Sequence, residues 1–107
     1  AFANLEGNLS DKGKDVGSHY SFRMEPKALD AIVEIGIDAL SIANNHAGDW
    51  GREAFIDTIK RLEDKNIIPI GGNINKELAE KPKIIKKNGI KIGFLGFTDV
   101  GPNWLQA

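Results

Sequence analysis

A chain of 107 residues is long enough for one small domain with one core. Hydrophobic residues make up 41% and charged residues 27%, a globular balance, and no apolar run approaches the roughly 20 residues of a membrane helix. A formal net charge of -1 offers no basic excess for nucleic acid, and the lack of cysteine excludes disulfides, zinc knuckles and thiol nucleophiles.

The chain opens Ala1-Phe2-Ala3-Asn4-Leu5-Glu6 without an initiator methionine, shows no signal-peptide pattern, and stops soon after an apolar strand pattern. A partial domain over 1–107, truncated at both ends, is therefore expected. Residues 1–6 read as the tail of a strand ending at Glu6-Gly7. Residues 8–19 are polar and read as a long loop whose tip, Asp11 to Asp15, has nothing to bury; a loop of that length is usually functional or mobile.

Pro26 suits the first turn of a helix, with Leu29, Ile32, Val33 and Gly36 on one side at helical spacing. Gly36 followed by Ile37 has the form of a left-handed C-terminal cap. Asp38 to Ala43 is short and mostly apolar, as a buried strand is. A second helix is expected from about Arg52 to Lys65, with Phe55, Ile56, Ile59 and Leu62 on its inner face and Asn66 as a second left-handed cap. Ile67 to Ile70 follows as a strand, and Pro69 places it at an edge or a strand end. This alternation predicts parallel strands with crossover helices. Pro82–Lys87 and Ile90–Thr98, joined by Asn88-Gly89, predict a hairpin. The expected fold class is α/β, mainly parallel, with one C-terminal β-hairpin.

Ligands in a parallel α/β sheet bind beyond the carboxyl ends of the strands. Three strands here finish in polar residues: Glu6, then Asn44-Asn45-His46, then Asn73. Parallel strands would bring these ends to one sheet edge. Carboxylate and amide oxygens with an imidazole suit a hard or borderline metal ion, and two such ions clamp the oxygens of a phosphoryl group. His46 could instead protonate a leaving group.

Each residue also has a plainer reading. His46 could hydrogen-bond a loop carbonyl, and Asn44 and Asn45 could supply turn conformations with positive φ. Asp49 reads as the cap of the second helix, or as an acceptor that orients His46. Glu6 could be a solvated strand end and Trp50 packing. His19, Tyr20 and Phe22 are expected to anchor the loop to the core. Lysines 81, 83, 86, 87 and 91 read as guards of an edge strand, or as a contact for an anionic polymer.

Asn4-Leu5-Glu6-Gly7, Ile35-Gly36-Ile37-Asp38, Ala43-Asn44-Asn45-His46 with Asp49 and Gly51, and Gly71 to Asn73 resemble the CapA family of poly-γ-glutamate capsule synthesis proteins. That family looks like a branch of the calcineurin-like metallophosphoesterases. The resemblance covers nearly the whole chain and implies a fragment of a metallophosphatase-like layered α/β sandwich. It further implies Glu6 and Asn45 as metal ligands, His46 as the adjacent catalytic acid, and a divalent metal (Mn, Mg, Fe or Zn) in the intact domain. Asn44, Asp49 and Asn73 would support them. The family's earlier aspartate, its His-Trp-Gly segment and its Gly-His-x-His segment do not occur here.

Residues 1–107 alone are expected to bind metal weakly or not at all, and the fragment alone to be inactive. Two functions stand: a metal-dependent hydrolase in capsule biosynthesis, and a non-catalytic polymer- or partner-binding component of a capsule synthesis complex. The implied partners are an anionic polymer or phosphoester substrate and capsule synthase subunits, with no nucleic acid. The implied setting is the bacterial cell envelope or the outer side of the membrane. An open sheet edge would allow an oligomer. A nucleotide-binding module is the third reading, disfavoured because Gly71-Gly72-Asn73 is no phosphate loop.

Overall fold

The computed structural model describes residues 1–105. Strands β1 (Phe2–Asn4), β4 (Ala39–Ser41) and β5 (Ile68–Ile70) form one parallel sheet in the order β1-β4-β5. Helix α1 (Ala28–Glu34) lies between β1 and β4 in the chain, and α2 (Gly51–Asp64) between β4 and β5. Register pairs Asn4 with Ser41 and Ser41 with Ile70, so the carboxyl ends of all three strands lie at one rim. The mixed α/β class with a mostly parallel sheet is as expected. Pro69 sits in β5 at the sheet's edge, where its missing N–H costs no ladder bond.

The helix endings follow from two residues that tolerate positive φ. Gly36 (φ 77°) lets Gly36 N–H donate to Val33 O and Ile37 N–H to Ile32 O, at 3.0 and 3.3 Å. Asn66 (φ 59°) does the same for α2, with Asn66 N–H on Glu63 O and Ile67 N–H on Leu62 O, both at 2.9 Å. Each is the paired bond set of a Schellman ending, and Ile67 behind the second cap is buried in the core. Strands β6 (Lys83–Lys87) and β7 (Ile90–Phe94) form an antiparallel hairpin around Asn88-Gly89, both at positive φ as a type I′ turn requires. Phe94 packs its ring 5.1 Å from that of Phe2 on β1. A one-turn helix α3 (Lys76–Ala79), absent from the sequence reading, is capped by Asn75 Oδ1, which accepts the Leu78 N–H at 2.9 Å.

The core holds Leu5, Leu9, Leu29, Leu40, Ile42, Phe55, Ile59, Leu62 and Ile67. Val33, expected on the inner side of α1, is instead exposed. The larger departure is at residues 8–10. They are not loop: β2 (Asn8–Leu9) pairs in parallel with β3 (Arg23–Met24), and Leu9 and Ser10 are fully buried. Their polar groups find partners on α2 and on the turn after β4. Leu9 N–H donates to Thr58 Oγ1 (3.0 Å), Ser10 Oγ to Asp57 Oδ2 (2.6 Å), and Asn8 Nδ2 to Ala47 O (2.9 Å). The partners Asp57 and Thr58 are buried residues of α2. One helix face thus presents polar groups to a polar strand, and these bonds offset the cost of burying them.

Asp57 also pairs with Arg61 Nε (2.7 Å) and Lys12 Nζ (3.2 Å). Burial alone would raise its pKa, but the hydrogen bonds from Ser10, Arg61 and Lys12 outweigh that and hold the carboxyl below the ordinary value of 3.8. A depressed folded-state pKa stabilises the fold above the unfolded value, and that contribution is lost as pH falls through the folded one. Urea midpoints are therefore expected to fall steeply below about pH 4, and Asp57→Asn should flatten that slope. Asp15, exposed and hydrogen-bonded by Ser21 and by Gly17, is held low as well, so the slope is expected to flatten only in part.

Candidate functional site

Beyond the rim of β1 and β4 the chain turns through Asn44-Asn45-His46. Asn44 ties this turn to the neighbouring strand. Its Nδ2 donates to Leu5 O (2.9 Å) and to Asn4 Oδ1 (3.1 Å), while its Oδ1 accepts the His46 N–H (3.0 Å). Neither Asn44 nor Asn45 has positive φ, so backbone tolerance is not what selects them. Asn44 makes an Asx turn, with its side chain standing in for a backbone carbonyl.

His46 is held on two sides. Its Nδ1 lies 2.8 Å from Asp49 Oδ2, and its ring stacks on Phe22 with centroids 4.0 Å apart and planes inclined by 28°. A carboxylate only accepts, so Nδ1 carries the proton and Nε2 is the free nitrogen. Nε2 makes no hydrogen bond to the described residues.

Asp49 is buried and does not cap α2; that helix has no side-chain cap from its N-terminal residue Trp50. The capping reading is therefore corrected. Trp50 N–H is served from a distance by Asn8 Oδ1 at 3.1 Å. Asp49 spends its carboxylate on three donors: His46 Nδ1, the Phe22 N–H (2.8 Å) and Ser18 Oγ (3.3 Å). Its own carbonyl accepts the Val16 N–H at 2.9 Å. The long loop is thus fastened at this point. His19 and Tyr20 do not anchor it as expected: both are exposed, and they stack edge-on against each other with centroids 4.5 Å apart. Trp50 packs under the Arg23 guanidinium, 4.2 Å from the ring centroid.

The other candidate residues lie at the same rim in different states. Glu6 is exposed and accepts a hydrogen bond from Asn4 Nδ2 at 2.6 Å. It does not touch His46 directly. A chain of side chains joins them: Glu6 to Asn4, Asn4 to Asn44, Asn44 to the His46 backbone. Asn45 is exposed, with its carboxamide uncommitted among the described residues. The Oδ1 of Asn73 accepts the Ile74 N–H at 2.7 Å. Glu6, Asn45 and Nε2 of His46 are oxygen and nitrogen donors of the kind first-row divalent ions accept. Three such donors are fewer than the four ligands of a closed zinc site. No group of three His, Cys, Asp or Glu converges among the described residues.

Asn8, Ser18 and Phe22 support the site without having been read as part of it. No spacing marks them, because each acts across at least 27 residues of sequence.

A parallel α/β domain with a fixed imidazole at the strand ends is a frame on which hydrolytic and binding sites are both built. A model of the bacterial capsule synthesis protein family PGA_cap matches residues 1–106, and the chain belongs to that family. It is similar to the capsule biosynthesis protein CapA of Bacillus anthracis, 30% identical over 95 residues, which is 89% of this chain and 23% of that protein. It is also similar to the PGA biosynthesis protein CapA of Bacillus subtilis (strain 168), 28% identical over 95 residues, 88% of this chain and 25% of that protein. The chain spans about a quarter of the length of these curated relatives.

Proposed function

We propose that this chain contributes His46 as the proton-transferring group, and Glu6 and Asn45 as metal ligands, to a metal-dependent hydrolase site that serves poly-γ-glutamate capsule biosynthesis. The observation that carries this reading is the His46–Asp49 pair. Asp49 fixes the imidazole's tautomer, which leaves Nε2 without a bond to the described residues, on a turn that follows β4 at the rim of the sheet. A bound divalent ion would polarise a phosphoryl or carbonyl oxygen of the substrate. As water adds to the phosphorus or carbonyl carbon, His46 Nε2, when protonated, passes its proton to the departing ester oxygen or amide nitrogen, and Asp49 stabilises the imidazolium while it lasts. Asn44 keeps the turn bonded to β1, so the imidazole and Glu6 stay on one frame. The reading also carries a cell-envelope setting with an anionic polymer or a phosphoester as substrate. No helix among the described residues is long and apolar enough to cross a membrane.

The test is made on the full-length natural protein. Hydrolysis of p-nitrophenyl phosphate is expected to fall to background after EDTA and dialysis, and to return with Mn. Hydrolysis that survives chelation would overturn the metal-dependent reading. A wild-type protein that hydrolyses nothing, yet supports capsule formation through this chain, would favour the non-catalytic polymer- or partner-binding role instead.

A further inference from the structure

We propose that Phe22 is a positioning residue for the His46 imidazole, acting through its ring and through its backbone. The ring covers one face of the imidazole at 4.0 Å, which resists tilting. The Phe22 N–H donates to Asp49 Oδ2, the oxygen that also accepts from His46 Nδ1, both at 2.8 Å. Phe22 therefore helps to hold the carboxylate that sets the tautomer while its ring holds the imidazole itself. A half-turn of the imidazole about its Cβ–Cγ bond would exchange Nδ1 and Cδ2. That motion must break the Asp49 bond and unstack the ring together.

Burial does not account for where Phe22 sits, because 42% of the residue is exposed. Its backbone is fixed independently of the ring. Asn8 N–H donates to Phe22 O at 3.4 Å, within the short β2–β3 pairing. Gly7, at φ +146°, lets the two segments meet; a Cβ there would lie 3.0 Å from both Phe22 Cβ and Phe22 O. A segment fastened this closely on one side presents an aromatic ring to a histidine on the other. Stacking of this kind biases one ring orientation over another.

The kinetic part of this inference rests on the proposed role of His46; the geometric part does not. The test uses the full-length protein with 15N-labelled histidine, with the His46 signals assigned by their loss in His46→Gln. In the wild type, His46 is expected to show one neutral tautomer protonated at Nδ1, and its ring protons are expected upfield from the Phe22 ring current. Phe22→Leu keeps the N–H and much of the volume but not the ring. It is expected to move the two His46 nitrogen shifts part of the way toward their average, because Asp49 still accepts from Nδ1, and to lower kcat about tenfold with KM unchanged. Phe22→Tyr should restore both. A wild-type spectrum without the upfield shift, or a folded Phe22→Leu protein that keeps the wild-type tautomer, would overturn the proposal. Nitrogen shifts moved toward their average in Phe22→Leu, in a protein that hydrolyses nothing, would uphold the positioning role and reject the hydrolase reading.

Discussion

Replacing His46 with alanine in the full-length protein is expected to lower hydrolysis by about 10²- to 10⁴-fold, the range a single proton-transferring side chain supplies. The change in stability should be small by comparison. The imidazole makes one side-chain hydrogen bond and one stack, and Asp49 keeps Phe22 N–H and Ser18 Oγ as donors after it is removed. A loss near 1 kcal/mol is expected, read as a small fall in the urea midpoint. Unchanged turnover in a folded His46→Ala protein would remove His46 from the chemistry.

Asp49→Ala is expected to act on both axes. The side chain is buried, and its loss strands three donors at once: an imidazole N–H, a backbone N–H and a hydroxyl. A buried donor without an acceptor costs about 1–3 kcal/mol, and less where water reaches it, as at the exposed Ser18, so a destabilisation of about 2–3 kcal/mol is expected. Asp49→Asn separates the two effects. Its carboxamide oxygen still accepts, which should recover most of the stability. The substitution nevertheless lacks the charge that supports an imidazolium, so turnover is expected to stay about 10- to 100-fold low. Denaturant titrations and initial rates on the same preparations distinguish the outcomes. An asparagine variant with wild-type turnover would assign Asp49 to folding alone.

The parts of the structure that were legible in advance are those dictated by a few consecutive residues. Gly36-Ile37 and Asn66-Ile67 end helices because a left-handed residue followed by an apolar one closes the chain there. Asn88-Gly89 turns a hairpin because both residues accept positive φ. The rim location of Glu6 and His46 followed from strand direction alone, and the parallel register bears it out. What was hidden depends on partners far along the chain. Leu9 is one apolar residue between Asn8 and Ser10, a pattern that reads as solvated loop until Asp57 and Thr58 on α2 are seen to meet it. A carboxylate ahead of a helix is a local signal for a cap, and of the two readings of Asp49 it is the other, the acceptor that orients His46, that the structure bears out. The donors to Asp49 at Ser18 and Phe22 lie 31 and 27 residues away. Asn73 follows β5 at the same end of the sheet, and its Oδ1 accepts the following N–H, a local bond that no strand-end reasoning supplies.

The side-chain chain from Glu6 through Asn4 and Asn44 to His46 makes this rim a vernier for the sheet. Asn4 stands opposite Ser41, and sliding β1 by a single residue would carry Glu6 about 3.3 Å along the strand and point it to the opposite face. Misaligned sheets would therefore leave the carboxylate and the imidazole unlinked, so only correctly registered molecules could assemble the rim.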